Sequence, residues 1–366
     1  MTQISNRLPS LDGWRAVSIF LVLAAHSKFV PGFPAAWKEA CFWLLNGNMG
    51  VRTFFVISGF LITWLMLVER DKTGQISLKH FYIRRILRIF PVYFVFLGVV
   101  FLIQLSTPFH QGDRAWISNV TFTTGMEPPG AGNTVLTGHL WSLAVEEQFY
   151  ILWPLLVVGF SLAMHRGKAL VFLAVPVVVA PVFRAFVYLK MLPGDLSWIV
   201  TNYTFPTNCD SLAVGCAAAI LFRDYREQLR RLLTAHPTMA CLGCLLLILG
   251  PHTLLVFKLA GALTVPFNQT AHAIGAALLI MQSILLPGWG PYRWLNTRVL
   301  VWVGVLSYSL YIWQQIFCSG PATFGLPDVW WMSFPGWLVP VFVVSCASYY
   351  LLEQPFMKLR AKFRDA

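Results

Sequence analysis

Stretches of about 20 apolar residues, separated by short segments rich in Arg, Lys, Pro and Gly, run along almost the whole chain. Each stretch is long enough to cross the hydrocarbon core of a bilayer as an α-helix. The pattern predicts an all-α, polytopic integral membrane protein with about ten transmembrane helices. The predicted spans are 13–30, 48–68, 89–106, 141–162, 169–189, 207–222, 238–257, 268–287, 299–317 and 336–352.

The composition supports this class of protein. Of the 366 residues, 57% are hydrophobic and 11% are charged, whereas soluble domains carry roughly a quarter charged residues. An ordinary soluble fold is therefore excluded. We predict one transmembrane domain over residues 1–357, followed by a basic cytoplasmic tail over residues 358–366.

The Lys and Arg residues are distributed unevenly between the predicted spans. Most of the 27 fall in alternate loops, including those around Arg7, Arg84, Arg230 and Lys358. Short loops with excess Lys and Arg face the cytoplasm, so both termini are predicted to be cytoplasmic. The net charge of +12 then reflects membrane topology, and we expect no nucleic-acid partner.

The seven cysteines do not form a recognisable framework. Cys241 and Cys244 make a C-x-x-C pattern, but it lies in an apolar run with no second pair. Packing by small, polarizable side chains explains this pattern better than redox or metal chemistry. We therefore predict no metal site and no permanently bound cofactor.

The first predicted helix contains two ionisable residues, Arg15 and His26. Eleven residues at 100° each come within about 20° of three full turns, so both side chains share one face, about 16 Å apart along the axis. This arrangement suits acyl-coenzyme A, which has anionic phosphates at one end and a thioester at the other. Alternatively, Arg15 contacts lipid headgroups and His26 is a polar packing residue.

Six segments occur in an order that resembles the acyltransferase-3 family of membrane O-acyltransferases. Together they extend over nearly the whole chain. They are "LPSLDGWRAVSIFLVLAAH" from Leu8, "GVRTFFVISGFLIT" from Gly50, "FYIRRILRIFPVY" from Phe81, "HLWSLAVEEQFYILWP" from His139, "SYSLYIWQQ" from Ser307 and "LLEQPF" ending at Phe356.

The resemblance implies acyl transfer, commonly of acetyl, from cytoplasmic acyl-CoA to a hydroxyl of a carbohydrate or lipid-linked saccharide at a bacterial inner membrane. By position, His26 corresponds to the proposed catalytic histidine and Arg15 to an essential arginine. The R-x-x-R pair corresponds to Arg85 and Arg88, with Arg84 beside it. These three arginines would receive CoA phosphates, although topology or anionic lipid also explains a basic loop.

Glu146 matches the acidic residue of the fourth motif, whereas Glu147 occupies a variable position. On the predicted topology, Glu146 would orient His26 or accept a hydroxyl proton. The alternative is a buried carboxylate that pairs with Arg52 or Arg184.

Four further polar residues have supporting roles in this reading. Asp12 is expected to position Arg15, and Asp210 matches another acidic family position. Ser58 lies in "SGF" without the G-x-S-x-G context of a nucleophile, which favours close helix packing at Ser58 and Gly59. His139 would meet the acceptor or belong to an interfacial belt of aromatic side chains.

Two departures from the family pattern bear on function. Gln314 stands where many relatives have a histidine, which we interpret as the loss of one polar group. The chain ends at Ala366, so we expect no appended SGNH hydrolase-like domain, and a separate periplasmic partner would supply any second catalytic module.

Two other classes of function remain open from the sequence. Intramembrane ionisable residues also mark the pathways of transporters, here a flippase for a lipid-linked saccharide or for the acyl donor. A catalytically inactive sensor or scaffold is the third interpretation.

Overall fold

The computed structural model describes residues 8–126, 134–160, 165–190, 203–361 and 363, and within these ranges the protein contains helices and no strands. Arg7, Lys362, Arg364 and the end of the fourth predicted span lie outside the described residues. The α-helices are α1 Leu11–Ser27, α2 Ala35–Leu44, α3 Gly47–Thr73, α4 Leu78–Ser106, α5 Asp113–Val120, α6 Trp141–Gly159, α7 Arg166–Lys190, α8 Phe205–Asp224, α9 Arg226–Thr234, α10 Pro237–Val256, α11 Gly261–Leu285, α12 Gly290–Arg293, α13 Arg298–Cys318, α14 Leu338–Ser348 and α15 Gln354–Ala361. A π-helix, Tyr349–Glu353, joins the last two.

Each of the ten predicted spans overlaps a helix. In the part of the chain that is described, six helices are long and apolar enough to cross a bilayer: α3, α4, α7, α8, α10 and α13. A seventh crossing results if α11 and the segment Gly290–Asn296, bent by 93°, count as one span. The chain is a multi-pass membrane protein, and the number of about ten crossings stays a prediction.

The chain forms two compact units. The first contains residues 1–18, 48–76 and 145–305, and the second contains residues 19–47, 77–144 and 306–366. Helices α1, α6 and α13 contribute residues to both.

In the first unit, α3 and α8 cross with their backbones in contact. A Cβ atom on Gly59 would lie 2.0 Å from the carbonyl oxygen of Leu212, and one on Gly215 would lie 2.2 Å from that of Val56. The Cys216 thiol donates to the Gly59 carbonyl oxygen at 3.3 Å. Small residues permit such close approach between membrane helices, so the packing expected at Gly59 is present.

The start of α1 is anchored in the same unit. The backbone N–H of Ser10 donates to Asn296 Oδ1 at 2.8 Å, and the indole N–H of Trp14 donates to Ser283 Oγ at 2.9 Å. A Cβ atom on Gly304 would lie 1.8 Å from the Asp12 carbonyl oxygen, so α13 touches the α1 backbone. These contacts hold the helix that carries Arg15.

The second unit is built around α4, which begins eleven residues before the predicted span. Ser77 caps it by accepting a hydrogen bond from the backbone N–H of His80 at 3.3 Å. Near this end, the Arg84 guanidinium donates to the carbonyl oxygen of Phe363 at 3.0 Å. Further along α4, the Tyr308 hydroxyl donates to the carbonyl oxygen of Ile89 at 2.7 Å.

We predict that Gly59→Ala strongly destabilises the protein, because the added methyl group would overlap the backbone of α8. Overpacking of this kind costs typically 1–3 kcal/mol and sometimes more. The measurement is the thermal unfolding midpoint of purified protein in detergent, together with its abundance in membranes.

Gly243→Ala is the matched control, because Gly243 lies inside α10 and its added methyl group would find nothing within 4 Å. This variant should keep or slightly raise the midpoint, since Ala is the better helix former. Equal behaviour of the two variants would contradict the close crossing.

Candidate functional site

His26 lies in the last turn of α1, within the second unit, and is half-buried. Its Nδ1 atom is 3.0 Å from Oε1 of Gln314 on α13. An amide oxygen can only accept a hydrogen bond, so this contact favours the tautomer in which Nδ1 carries the proton and Nε2 presents its lone pair. This tautomer is the one a general base or a nucleophile needs at Nε2.

Gln314 thus corrects one interpretation made from the sequence. We treated it as the loss of a polar group, yet its amide oxygen is the hydrogen-bond partner of His26. The side chain is fully buried, and its Nε2 atom has no hydrogen-bond partner among the described residues. A buried donor left in this state is available to a ligand.

His139 belongs to the same unit as His26, in a 3₁₀ turn, Gly138–Leu140, that precedes α6. Its side chain is 6% exposed, and its ring packs against Phe96 and Tyr311 at centroid distances of 5.6 and 5.4 Å. No described side chain hydrogen-bonds to either ring nitrogen, and the backbone of Ile312 is the polar group that acts on the ring. This enclosure disfavours the interfacial-belt interpretation, in which the ring would face lipid headgroups.

Glu146 lies on the part of α6 that belongs to the first unit. Its Oε2 atom accepts a hydrogen bond of 3.3 Å from the Tyr150 hydroxyl, and that hydroxyl is also bonded to Ser58 Oγ on α3. Sequence reasoning missed Tyr150. Its position four residues after Glu146, on the same helix face, was the available signal.

Asp210 forms a buried ion pair with Arg184 in the first unit. The Nη2 to Oδ2 distance is 2.8 Å, and both side chains are fully buried. All five N–H donors of Arg184 are used, because it also donates to Pro266, Thr207, Gln269 and Thr270. The alternative in which Arg184 pairs with Glu146 is therefore wrong.

Arg52, on α3 of the same unit, is 7% exposed. It forms no hydrogen bond or ion pair with any described residue, so the alternative pairing with Glu146 fails here too. The positive charge of Arg184 repels the Arg52 guanidinium, and the negative charge of Asp210 attracts it. The neighbouring Thr53 hydroxyl is hydrogen-bonded to Nε2 of His272 at 3.1 Å.

Arg15 is half-buried on α1 and makes no hydrogen bond or ion pair with a described residue, Asp12 included. The positioning role predicted for Asp12 therefore lacks a direct contact. Since α1 is one uninterrupted helix, Arg15 and His26 keep their predicted separation of about 16 Å along its axis.

The three arginines of the R-x-x-R segment lie on α4, and each is half-buried. Arg84 is held by the Phe363 carbonyl, and the Arg85 guanidinium lies 5.7 Å from the centre of the Phe81 ring. Arg88 follows Arg85 by three residues on the same helix face. The roles predicted for all these site residues stay predictions.

Comparison with known proteins identifies the class. A family model described as an acyltransferase domain matches residues 8–353. The chain therefore belongs to the acyltransferase-3 family, as its six motifs indicated.

Two similar proteins have names that describe an activity. The "Peptidoglycan O-acetyltransferase OatA" of Listeria monocytogenes is 26% identical over 96% of this chain and 56% of its own length. The "Putative peptidoglycan O-acetyltransferase YrhL" of Bacillus subtilis is 29% identical over 97% of this chain and 55% of its own length. The chain thus spans about half the length of these relatives, and no solved structure matches it.

We predict that Arg184→Gln destabilises the protein by about 3–5 kcal/mol, the cost of breaking one side of a buried ion pair. The substitution leaves the Asp210 carboxylate buried without its cation. The free energy of unfolding in detergent, measured by denaturant titration, tests this.

Arg70→Gln serves as the control, because the Arg70 and Asp71 side chains are 23% and 35% exposed and such pairs contribute about 0–1 kcal/mol. A loss for Arg184→Gln no larger than that for Arg70→Gln would contradict the structural role of the buried pair.

Proposed function

We propose that this protein is a membrane O-acyltransferase that moves an acetyl group from acetyl-CoA to a hydroxyl of a cell-envelope carbohydrate or glycolipid. The observation that carries the proposal is the hydrogen bond of 3.0 Å between His26 Nδ1 and Gln314 Oε1. It presents Nε2 as a base or nucleophile at the histidine that matches the family motif. The names of the two relatives support acetyl as the acyl group and a glycan as the acceptor.

The chemistry at His26 follows one of two balanced routes. In direct transfer, Nε2 takes the hydroxyl proton while that oxygen attacks the thioester carbonyl, and CoA leaves as its thiol after receiving the proton. In covalent transfer, Nε2 itself attacks the thioester carbonyl and displaces CoA as its thiolate. The acceptor oxygen then takes the acetyl group from Nε2, and the proton that this oxygen loses converts the thiolate to the CoA thiol. Both routes need the Nε2 lone pair that Gln314 leaves available.

The remaining site residues divide between the two substrates. Arg15, Arg84, Arg85 and Arg88 bind the CoA phosphates from the cytoplasm, because guanidinium groups match phosphate oxygens bidentately. On the acceptor side, the His139 ring, to which no described side chain is hydrogen-bonded, supplies a hydrogen bond to a sugar hydroxyl. Glu146, with its Tyr150 and Ser58 partners, provides a hydrogen-bonded route for a proton.

The predicted topology fits this division. The chain crosses a bacterial inner membrane about ten times, with both termini in the cytoplasm. This topology puts the arginines of α4 on the cytoplasmic side, where acyl-CoA is made. It places the end of α1 that carries His26 toward the outer side. The domain of residues 1–357 then performs transfer across the bilayer, and residues 358–366 form a cytoplasmic tail.

We predict that His26→Ala abolishes transfer of labelled acetyl from acetyl-CoA into envelope glycans. Gln314→Leu should lower kcat by about ten- to a hundredfold, because a misoriented base loses much of the rate gain of general-base catalysis. Gln314→Glu keeps an acceptor for Nδ1 and should retain more activity than Gln314→Leu. Membranes matched for protein abundance provide the assay.

The controls separate this reaction from the alternatives. Purified enzyme given labelled acetyl-CoA without acceptor should yield a labelled histidine under covalent transfer and none under direct transfer. A transporter would return its substrate chemically unchanged. Full transfer by His26→Ala would overturn the catalytic assignment.

We predict that the triple substitution of Arg84, Arg85 and Arg88 by Gln raises the KM for acetyl-CoA at least tenfold with little change in the KM for the acceptor. Because the phosphate contacts are lost, the KM of the triple variant for acetyl-CoA should also depend less on salt concentration than the wild-type KM does. Initial-rate kinetics at two ionic strengths measure both effects.

Arg114→Gln is the matched control for loss of positive charge, since Arg114 is exposed on α5 of the same unit. This variant should leave both KM values as in the wild type. An unchanged KM for acetyl-CoA in the triple variant would show that these arginines serve topology or lipid binding instead.

A further inference from the structure

The first unit contains two buried arginines in opposite electrostatic situations. Arg184 is fully buried, and its five N–H donors all have acceptors, one of them the Asp210 carboxylate. Arg52 is 7% exposed and has no hydrogen bond or ion pair with a described residue. The two residues therefore need different explanations.

An enclosed and unpaired guanidinium is unfavourable for folding. Burial removes water from the charge, and only a paired counter-charge with good hydrogen bonds repays that loss. Arg184 receives this compensation, whereas Arg52 has no direct hydrogen bond or ion pair with a described residue. A bound anion would supply the counter-charge that Arg52 lacks and would explain why a charged residue is present at this enclosed position.

The neighbours of Arg52 cannot take that role. The Asp210 carboxylate already accepts hydrogen bonds from Arg184 and from the Thr270 hydroxyl, at 2.8 and 2.5 Å. His272 is bonded through Nε2 to the Thr53 hydroxyl. The repulsion of Arg52 by Arg184 outweighs its attraction to Asp210, so this pair gives the charge of Arg52 no net stabilisation.

Arg52 is nevertheless partly accessible. Its side chain keeps 7% of its exposure, whereas that of Arg184 is 0% exposed. Arg52 is thus largely enclosed by protein without being completely sealed.

We propose that Arg52 is the binding residue for an oxyanion, a phosphate or a carboxylate, carried by one of the two substrates of the transferase. A guanidinium binds either group through two parallel N–H···O bonds. The identity of the carrier rests on the proposed function, whereas the binding of an oxyanion at Arg52 does not. The two sources are the phosphates of CoA and an acidic group on the acceptor.

The test compares stability and binding in the full-length protein purified in detergent. Arg52→Gln should keep or raise the thermal unfolding midpoint, because it removes an uncompensated charge. The same substitution at Arg184 should lower it. An Arg52 variant that unfolds as early as Arg184→Gln would show a structural role and overturn the proposal.

Inorganic pyrophosphate is the first probe, measured by the rise that it causes in the unfolding midpoint. The apparent affinity should fall about ten- to a hundredfold in Arg52→Gln, the loss expected for hydrogen bonds to a charged group. It should stay unchanged in Arg70→Gln. Wild-type affinity in Arg52→Gln would overturn the proposal.

Further arms identify the source of the oxyanion. If Arg52→Gln loses affinity for CoA and for neither sugar probe, the site belongs to the acyl donor. A loss for N-acetylmuramic acid, which carries a carboxylate, but not for neutral N-acetylglucosamine assigns it to the acceptor. Because none of these readouts requires turnover, an inactive enzyme would challenge the proposed function without affecting this result.

Discussion

The buried ion pair between Arg184 and Asp210 is the interaction on which the first unit most depends. It joins α7, α8 and α11, since Arg184 also donates to Thr207 on α8 and to Gln269 on α11. In a bilayer no water can satisfy a polar group, so a charge must be compensated by other parts of the chain. A carboxylate and four oxygen acceptors around one guanidinium meet this requirement, and in doing so they fix the register of three helices.

The helices could be predicted from sequence because their signal is local. A run of about 20 apolar residues predicts a span whatever surrounds it, and every predicted span overlaps a helix. The bounds were less predictable where a helix leaves the apolar region. The predicted span stopped at the arginines before residue 89, whereas α4 continues through them to Leu78, where Ser77 satisfies a free backbone N–H group.

The side-chain partners of the site were mostly beyond sequence reasoning. Gln314 lies 288 residues from His26, and no local pattern links the two. The sequence suggested Arg184 as a partner of Glu146, and only the packing of α7 against α8 and α11 shows that its partner is Asp210. Tyr150 is the exception, because it follows Glu146 by four residues on one helix and their contact could be predicted from that spacing.

The amide of Gln314 orients the His26 ring without adding a charge to its surroundings. A carboxylate would orient His26 through Nδ1 equally well, but it would bring a second charge into a region where charge is costly. The neutral amide oxygen of Gln314 sets the same tautomer without that charge. The Nε2 donor of Gln314 has no partner among the described residues, so the side chain that orients His26 also has a hydrogen-bond donor to offer.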